Sequence, residues 1–543
     1  MRLPKLIALT VGLAVLGLGQ NPVQFQGLVL AANTGQPLGG VQVTLTPGRE
    51  YRRGAQLPGT IATSTAADGT FVIAAPQGPF MLYASAPDYF PERAEAIPIN
   101  TATTRSMTLL LVRKASLEGR LVDSLTTAPI AGMRITPALV RYDWGQAVPD
   151  MLEGQTSGRD GSFRFTELIP GTYVLHLAKP EEQPTLQVGK RLQDASPAVT
   201  GYGEQWWPGG QTPFDQGVRV SEGARVTVPD IRISQRTLLR LGLSIKADQC
   251  TERDRYTVTV ARFYGTVVGR AYTLMRNAPA AEIPCDTPFL IDRLSPAEYD
   301  LEATSVTSAE SQRKAASEHI GVFNDSEWML QPKSGVLLDV SADVPDGFPE
   351  ATRSSLRLEV RAVQGASLTM PQPTAVARFP VSLQADREVQ LSLRGLAAPY
   401  YISKVTYAGR EAEDTIVTPL ALSTDQTVKI TVAGDGATIQ GTVRDRDIPA
   451  VGMTVVAVRI PIRFVAGFPV HYYGPADDQG RFGLRGLPPG TYRVLSVPRA
   501  VWDTEIQKPG VLGNLAVAGT EVTVGPSAVV PITLVATQVP VTQ

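Results

Sequence analysis

The chain has 543 residues, enough for about three to five domains. With 43% hydrophobic and 19% charged residues it carries too much apolar material for a disordered chain. Its 50 Lys and Arg balance 51 Asp and Glu, so bulk charge directs it neither to nucleic acid nor to an anionic membrane. In chain order the first element is a targeting segment: Arg2 and Lys5, an apolar run from Leu6 to Leu18, and Gly17 and Gly19 at the −3 and −1 positions before Gln20. Residues 1–19 read as a secretory signal. The run is short of the roughly 20 residues of a membrane span, and an uncleaved N-terminal anchor is the alternative. No Cys follows it to carry a lipid, and no second apolar stretch of spanning length occurs, so the expected location is secreted, periplasmic or cell-surface.

A phrase then recurs. Asp68-Gly69-Thr70-Phe71 leads to Gly78-Pro79-Phe80; Asp160-Gly161-Ser162-Phe163 leads to Pro170-Gly171-Thr172-Tyr173; Asp478-Gln479-Gly480-Arg481-Phe482 leads to Pro489-Gly490-Thr491-Tyr492. Each copy opens on a glycine before apolar residues (Gly27-Leu28-Val29, Gly119-Arg120-Leu121, Gly441-Thr442-Val443). An alternating stretch follows, such as Val41-Gln42-Val43-Thr44-Leu45 or Met453-Thr454-Val455. Alternation at a period of two places one face in a core and the other in water. Worn versions run from Phe289 to Tyr299 and, with Leu in place of Phe, from Leu391 to Tyr401. A phrase repeated in this way marks an array of like units.

The expectation is an all-β chain, a tandem array of about five Greek-key β-sandwiches of transthyretin or immunoglobulin type with about seven short strands each. Boundaries fall near 20–114, 115–235, 236–332, 333–436 and 437–543, the third and fourth modules being degenerate. The tyrosine after Pro-Gly is expected to bury its ring and bond its hydroxyl to a nearby turn. Helical periodicity is all but absent; the best stretch is Ser308 to His319. The two cysteines, Cys250 and Cys285, fall in one module, and an exported chain favours a bond between them. Closing a loop of roughly 36 residues would stabilise the fold by about 3.8 kcal/mol. Two buried free thiols are the alternative.

The glycine opening, the Asp-Gly-x-Phe turn and the Leu487-Pro488-Pro489-Gly490-Thr491-Tyr492 signature resemble the carboxypeptidase regulatory-like domain, a transthyretin-like sandwich grouped with carbohydrate-binding-like folds. The likeness is strong for the second and fifth modules, good for the first and weak for the third and fourth. The step Tyr202-Gly203-Glu204-Gln205-Trp206-Trp207-Pro208-Gly209 is similar to versions in secreted proteins of soil bacteria. The resemblance implies no catalytic residues, since in carboxypeptidases this domain is the non-catalytic companion of a zinc peptidase. The related Cna-B-like modules often carry a Lys–Asn/Asp isopeptide bond, but no Lys stands in the opening strands after Gly27, Gly119 or Gly441, so none is expected here.

The three histidines, His176, His319 and His471, form no His-Glu-x-x-His pair, and neither a Gly-x-Ser-x-Gly elbow nor a phosphate-binding glycine loop occurs. Loop carboxylates at Asp445, Asp447, Asp477 and Asp478 lack the rest of a calcium loop, and Asp beside Gly is also ordinary turn chemistry. No enzyme activity, cofactor or metal is therefore expected, although carboxylate pairs leave little trace in a sequence. Aromatic clusters remain. Tyr202, Trp206 and Trp207, with Tyr142 and Trp144 of the same module, are the candidate binding residues, because flat rings stack on sugars and anchor protein contacts. His471-Tyr472-Tyr473 and Trp502 form a similar group in the fifth module. The alternative is that these rings cover the core or the joints between modules. Three functions stay open: binding of glycans or other cell-envelope or extracellular components, a scaffold that recognises proteins through sheet edges, and a hydrolase with a site between modules. Nucleic acid is not an expected partner.

Overall fold

The computed structural model describes residues 23–537 apart from 48–58, 76–77, 100–105, 210–212, 248–249, 263–281, 307–312, 364–367, 422–425, 466–467 and positions 252, 372, 447, 451 and 478. The signal segment and Asp447 and Asp478 of the loop carboxylates thus lie outside the described residues. The chain is all-β, its strands paired into facing sheets, and it divides into two compact units, residues 1–114 and 115–543.

In the first unit, Val23–Ala31 is flanked by antiparallel Thr70–Ala75 and parallel Ser106–Leu111. The facing sheet runs Ile61–Ser64, Gln42–Pro47, Gly78–Ser85, Glu92–Ile99. Phe25, Val29, Phe71 and Ile73 from one sheet meet Val43, Leu45, Phe80 and Leu82 from the other to form the core. The alternation seen in the sequence is what fills it: Thr70–Ala75 is exposed and buried in strict turn.

The second unit repeats this plan. Ala115–Asp123 lies antiparallel to Ser162–Leu168 and parallel to Arg225–Thr227 and Ile231–Ile233. Ala437–Asp445 lies antiparallel to Arg481–Leu487 and parallel to Val529–Val535. The worn third module keeps the arrangement, with Arg236–Ile245 between Phe289–Leu294 and Ser326–Leu330. The opening glycine and the turn phenylalanine of the repeated phrase are partners across one strand pair: Gly119 faces Phe163, and a Cβ on Gly119 would sit 2.8 Å from that ring. The turn itself needs a glycine as well. Gly161 has φ +77°, and its Cβ would come 2.3 Å from the Leu121 carbonyl. Asp160 closes the turn by accepting from the Ser162 amide (3.1 Å) and hydroxyl (2.6 Å). In the inserted third copy this role passes to Asp477, which accepts from the amides of Gln479 (2.9 Å) and Arg481 (2.8 Å).

The expected tyrosine corner is present in three modules. The buried Tyr173, Tyr299 and Tyr492 donate their hydroxyls to the carbonyls of Ile169 (2.9 Å), Ser295 (2.7 Å) and Pro488 (2.6 Å), each four residues back. The fourth module departs from the pattern. Its Val389–Arg394 strand pairs with Arg357–Ala362 instead of the opening strand Val336–Asp343, and Tyr401–Tyr407 pairs with the closing strand Thr427–Ala433. Tyr401 therefore makes no corner; its hydroxyl donates to Asp435 (3.0 Å), and burial together with that carboxylate pushes the phenol up to about 12. The Leu391-to-Tyr401 phrase is thus a likeness of sequence without a likeness of topology.

Two more departures matter below. Within 115–235, the strands Thr185–Val188 and Val199–Gly201 leave their own sandwich and pair with Phe289–Leu294 and Arg236–Ile245 of the next. The stretch Ser308 to His319, which comes nearest to helical periodicity in the sequence, is, where described, the strand Lys314–Val322, because it pairs along its length with Ala297–Ser305 and buries Ala316, Ile320 and Val322. Short helical turns do occur, among them Glu350–Ser355 in the fourth module; those after Pro498, at Arg499–Val501, Trp502–Ile506 and Val511–Val517, cover the outer face of the fifth module's sheet. Cys250 and Cys285 are bonded, with Cα atoms 6.0 Å apart.

Candidate functional site

The candidate binding residues of the second module lie in two places, and both are contacts within the 115–543 unit. The first is the strand Gln205–Trp207, which adds to Gly171–Ala178 and sets Trp206 opposite His176. The Trp206 ring lies 4.9 Å from the His176 ring and edge-on to Phe214 at 5.4 Å, in a buried cluster with Tyr142. Trp207 and Tyr202 pack against the main sandwich core. The Tyr202 hydroxyl donates to Asp123 (3.0 Å), which also receives the Thr126 amide (2.8 Å) and hydroxyl (2.9 Å); these Thr126 bonds hold the Asp123 carboxyl below the ordinary carboxylate range.

Around this strand the second and third modules interlock. Glu182 accepts from the amides of Tyr202 (2.8 Å) and Gly203 (2.9 Å). The Glu204 carbonyl accepts from Arg262 (3.2 Å) and from the Ser295 hydroxyl (3.0 Å), and Arg236 donates to Gln205 (3.1 Å). The Glu204 carboxylate pairs with His176 at 2.8 Å. Burial works against that charge, but the His176 bond and the charges of His176 and Arg262 outweigh it, and the carboxyl is held low.

The second place is a hairpin tip. Arg134–Asp143 turns into Gln146–Met151 through Trp144 and Gly145, at φ +51° and +76°. Left-handed backbone is costly for a tryptophan in a two-residue turn, where Asn or Gly is the usual choice. The surroundings hold it there. The Trp144 amide donates to Gln507 (2.9 Å), and its ring lies 5.2 Å from His471 and 6.1 Å from Phe468 of the fifth module. The Arg361 guanidinium of the fourth module stands 5.5 Å from the ring centre and 3.4 Å from the Asp143 carboxylate. Arg141–Asp503 (3.6 Å), Arg219–Glu505 (3.9 Å) and Lys508 over the Tyr142 ring (5.7 Å) extend the seam.

Three modules therefore meet at Trp144. Arg361, Gln507, Asp503 and Glu505 carry no motif, and only their contacts in the fold, the first two with Trp144 and the others with Arg141 and Arg219, reveal their part. In the fifth module, His471 donates through Nδ1 to the Pro469 carbonyl (2.9 Å), and burial pushes its imidazole below the ordinary value. Tyr473 stacks on His471 and lies 4.9 Å from Trp502, yet is 60% exposed. A small cavity of ≈ 140 Å³ separates the third and fourth modules, lined by Glu302, Arg313, Ala316, Val360, Arg387 and Val389 among others. Among the described residues, the set of metal-ligating side chains close enough to share an ion is Cys250, Cys285 and Asp286, and both its sulfurs are taken up in the disulfide.

No family model matches the chain, and no curated protein matches it. Solved structures with local likeness include GBS52, the minor pilin of Streptococcus agalactiae, at 16% identity over 39% of this chain and 96% of that one, with a TM-score of 0.21. The major pilin subunit BcpA of Bacillus cereus matches at 11% identity over 78% and 99%, with a TM-score of 0.12. Two B repeat units of the collagen-binding protein of Staphylococcus aureus match at 9% identity over 76% and 99%, with a TM-score of 0.13. Likeness at TM-scores this low carries no inference about what this chain does.

Proposed function

We propose that the chain is an exported, non-enzymatic protein of the cell surface or extracellular space, and that residues 115–543 serve as a scaffold of defined geometry. The observation that carries this reading is the position of Trp144, clasped between Arg361 of the fourth module and His471 of the fifth. With the interlock at Glu204 and the Arg463–Asp414 pair (3.5 Å) between the fourth and fifth modules, the contacts close a circuit within the unit. Of the aromatic rings that the sequence offers as a binding surface, Trp144 and Tyr142 are material of these joints, whereas Tyr202, Trp206 and Trp207 pack within the second module. The three tyrosine corners support membership of the carboxypeptidase regulatory-like group, whose modules accompany active domains without catalysing.

Small-angle scattering of the purified chain tests the proposal. Trp144→Ala is expected to enlarge the radius of gyration while leaving the far-ultraviolet circular dichroism unchanged. Identical scattering profiles for the two proteins would refute a scaffold held at Trp144.

A second reading, binding of a glycan, is favoured by Tyr473, whose exposed ring is backed by His471 and Trp502 and so is held flat for stacking. On a glycan array this reading expects binding that Tyr473→Ala removes and Trp206→Ala/Trp207→Ala does not. Absence of binding on the array would sink it and leave the scaffold reading standing.

A further inference from the structure

Among the described residues, the third module has an open sheet edge with exposed apolar side chains. Its closing strand Ser326–Leu330 pairs with Arg236–Ile245 on one side, and among the described residues no strand pairs with its other side. Leu330 is buried, but Trp328 is 42% exposed and Met329 44%, and Phe323 just before the strand is 60% exposed. An edge strand presents unmet backbone donors and acceptors, which sheets ordinarily blunt with Lys, Pro or a bulge. Ser326-Glu327-Trp328-Met329-Leu330 has none of these, and its single charge is Glu327. The neighbouring Asp325 is already met by Arg240, whose Nε donates to it at 2.9 Å.

We propose that two copies of this chain join edge to edge through Ser326–Leu330, antiparallel about a twofold axis at Trp328. Backbone that lacks a neighbour is best completed by another strand, and the exposed apolar side chains beside it define where that strand lies. A second copy fits because the strand is self-complementary in this register. Centred on Trp328, all five residues pair: Trp328 meets its own copy, Glu327 faces Met329, and Ser326 faces Leu330. Centred on Glu327 instead, the pairing would set two carboxylates face to face, which is unfavourable. The contact is isologous and closes at two copies.

Light scattering of the full chain after size-exclusion chromatography tests this. The expected mass is twice that of one chain, falling to the single-chain value in Trp328→Lys. Phe464→Lys, at another exposed aromatic on the fifth module, should leave the dimer intact. Cysteine scanning separates the register from a mere loss of folding: oxidised Trp328→Cys should run as a disulfide-linked dimer on a non-reducing gel, and Ser326→Cys as a single chain. A single-chain mass at every concentration, a dimer that survives Trp328→Lys, or crosslinking at Ser326 in place of Trp328 would overturn the proposal.

Discussion

At the scale of single residues, the repeated phrase turns out to be a set of paired steric requirements. Phe163 fills the place that a side chain on Gly119 would occupy, and the tyrosine four residues after a turn carbonyl ties that carbonyl down. Tyr492→Phe removes the hydroxyl that meets the buried Pro488 carbonyl at 2.6 Å and keeps the ring, so the loss is that of one buried hydrogen bond, about 1–2 kcal/mol in chemical denaturation. A destabilisation near zero would mean that water replaces the hydroxyl. His471 makes a different prediction. Burial lowers its value in the folded chain below the 6.5 of the free side chain, so the unfolded chain takes up the proton first. Its contribution is therefore complete above pH 6.5 and is lost as pH falls through that value toward the lowered one. Melting temperatures measured between about pH 7.5 and 5 should fall more steeply in the native chain than in His471→Phe, since phenylalanine keeps the ring packing without a titrating group. Parallel curves would show that the ring protonates as freely in the fold as in water.

At the scale of elements, what the sequence reveals is what is local. Alternation placed the strands, and the Asp-Gly and Pro-Gly turns placed the hairpins, because both signals act over a few residues. The strand Lys314–Val322 was hidden, since its polar residues Ser317, Glu318 and His319 run together and obscure the alternation; its pairing with Ala297–Ser305 supplies what its own pattern lacks. The fourth module shows the opposite case. The Leu391-to-Tyr401 spacing imitates the phrase, but the strand partners differ, and no feature of spacing records which strand a segment will join. The exchange of Thr185–Val188 and Val199–Gly201 into the neighbouring sandwich is likewise a property of partners and not of the segment. The candidate rings were legible as aromatic residues in loops. Whether they faced water or another module was not, because Trp144 reaches Gln507 across 363 positions of chain.

At the scale of the molecule, repetition suggests beads on a string, each sandwich melting by itself. The contacts argue otherwise for part of the chain. Residues 115–543 form one compact unit apart from residues 1–114, and within it the joints combine shared strands, the Glu204 carbonyl bonded to Arg262 and Ser295, and a ring clasped by two other modules. Sandwiches coupled in this way unfold together when the coupling free energy exceeds the differences in their own stabilities. Calorimetry of the full chain is therefore expected to show two transitions, a small one from the unit ending at Lys114 and a large one from the remainder. Trp144→Ala should divide the large transition, because it releases the fifth module from the second while leaving the Glu204 interlock in place. A double-mutant cycle of Trp144→Ala with Arg361→Ala then isolates the clasp; rings and guanidinium groups in this arrangement are coupled by about 0.5–2 kcal/mol. Additive effects in that cycle, together with an undivided transition in Trp144→Ala, would place the coupling between modules elsewhere in the unit.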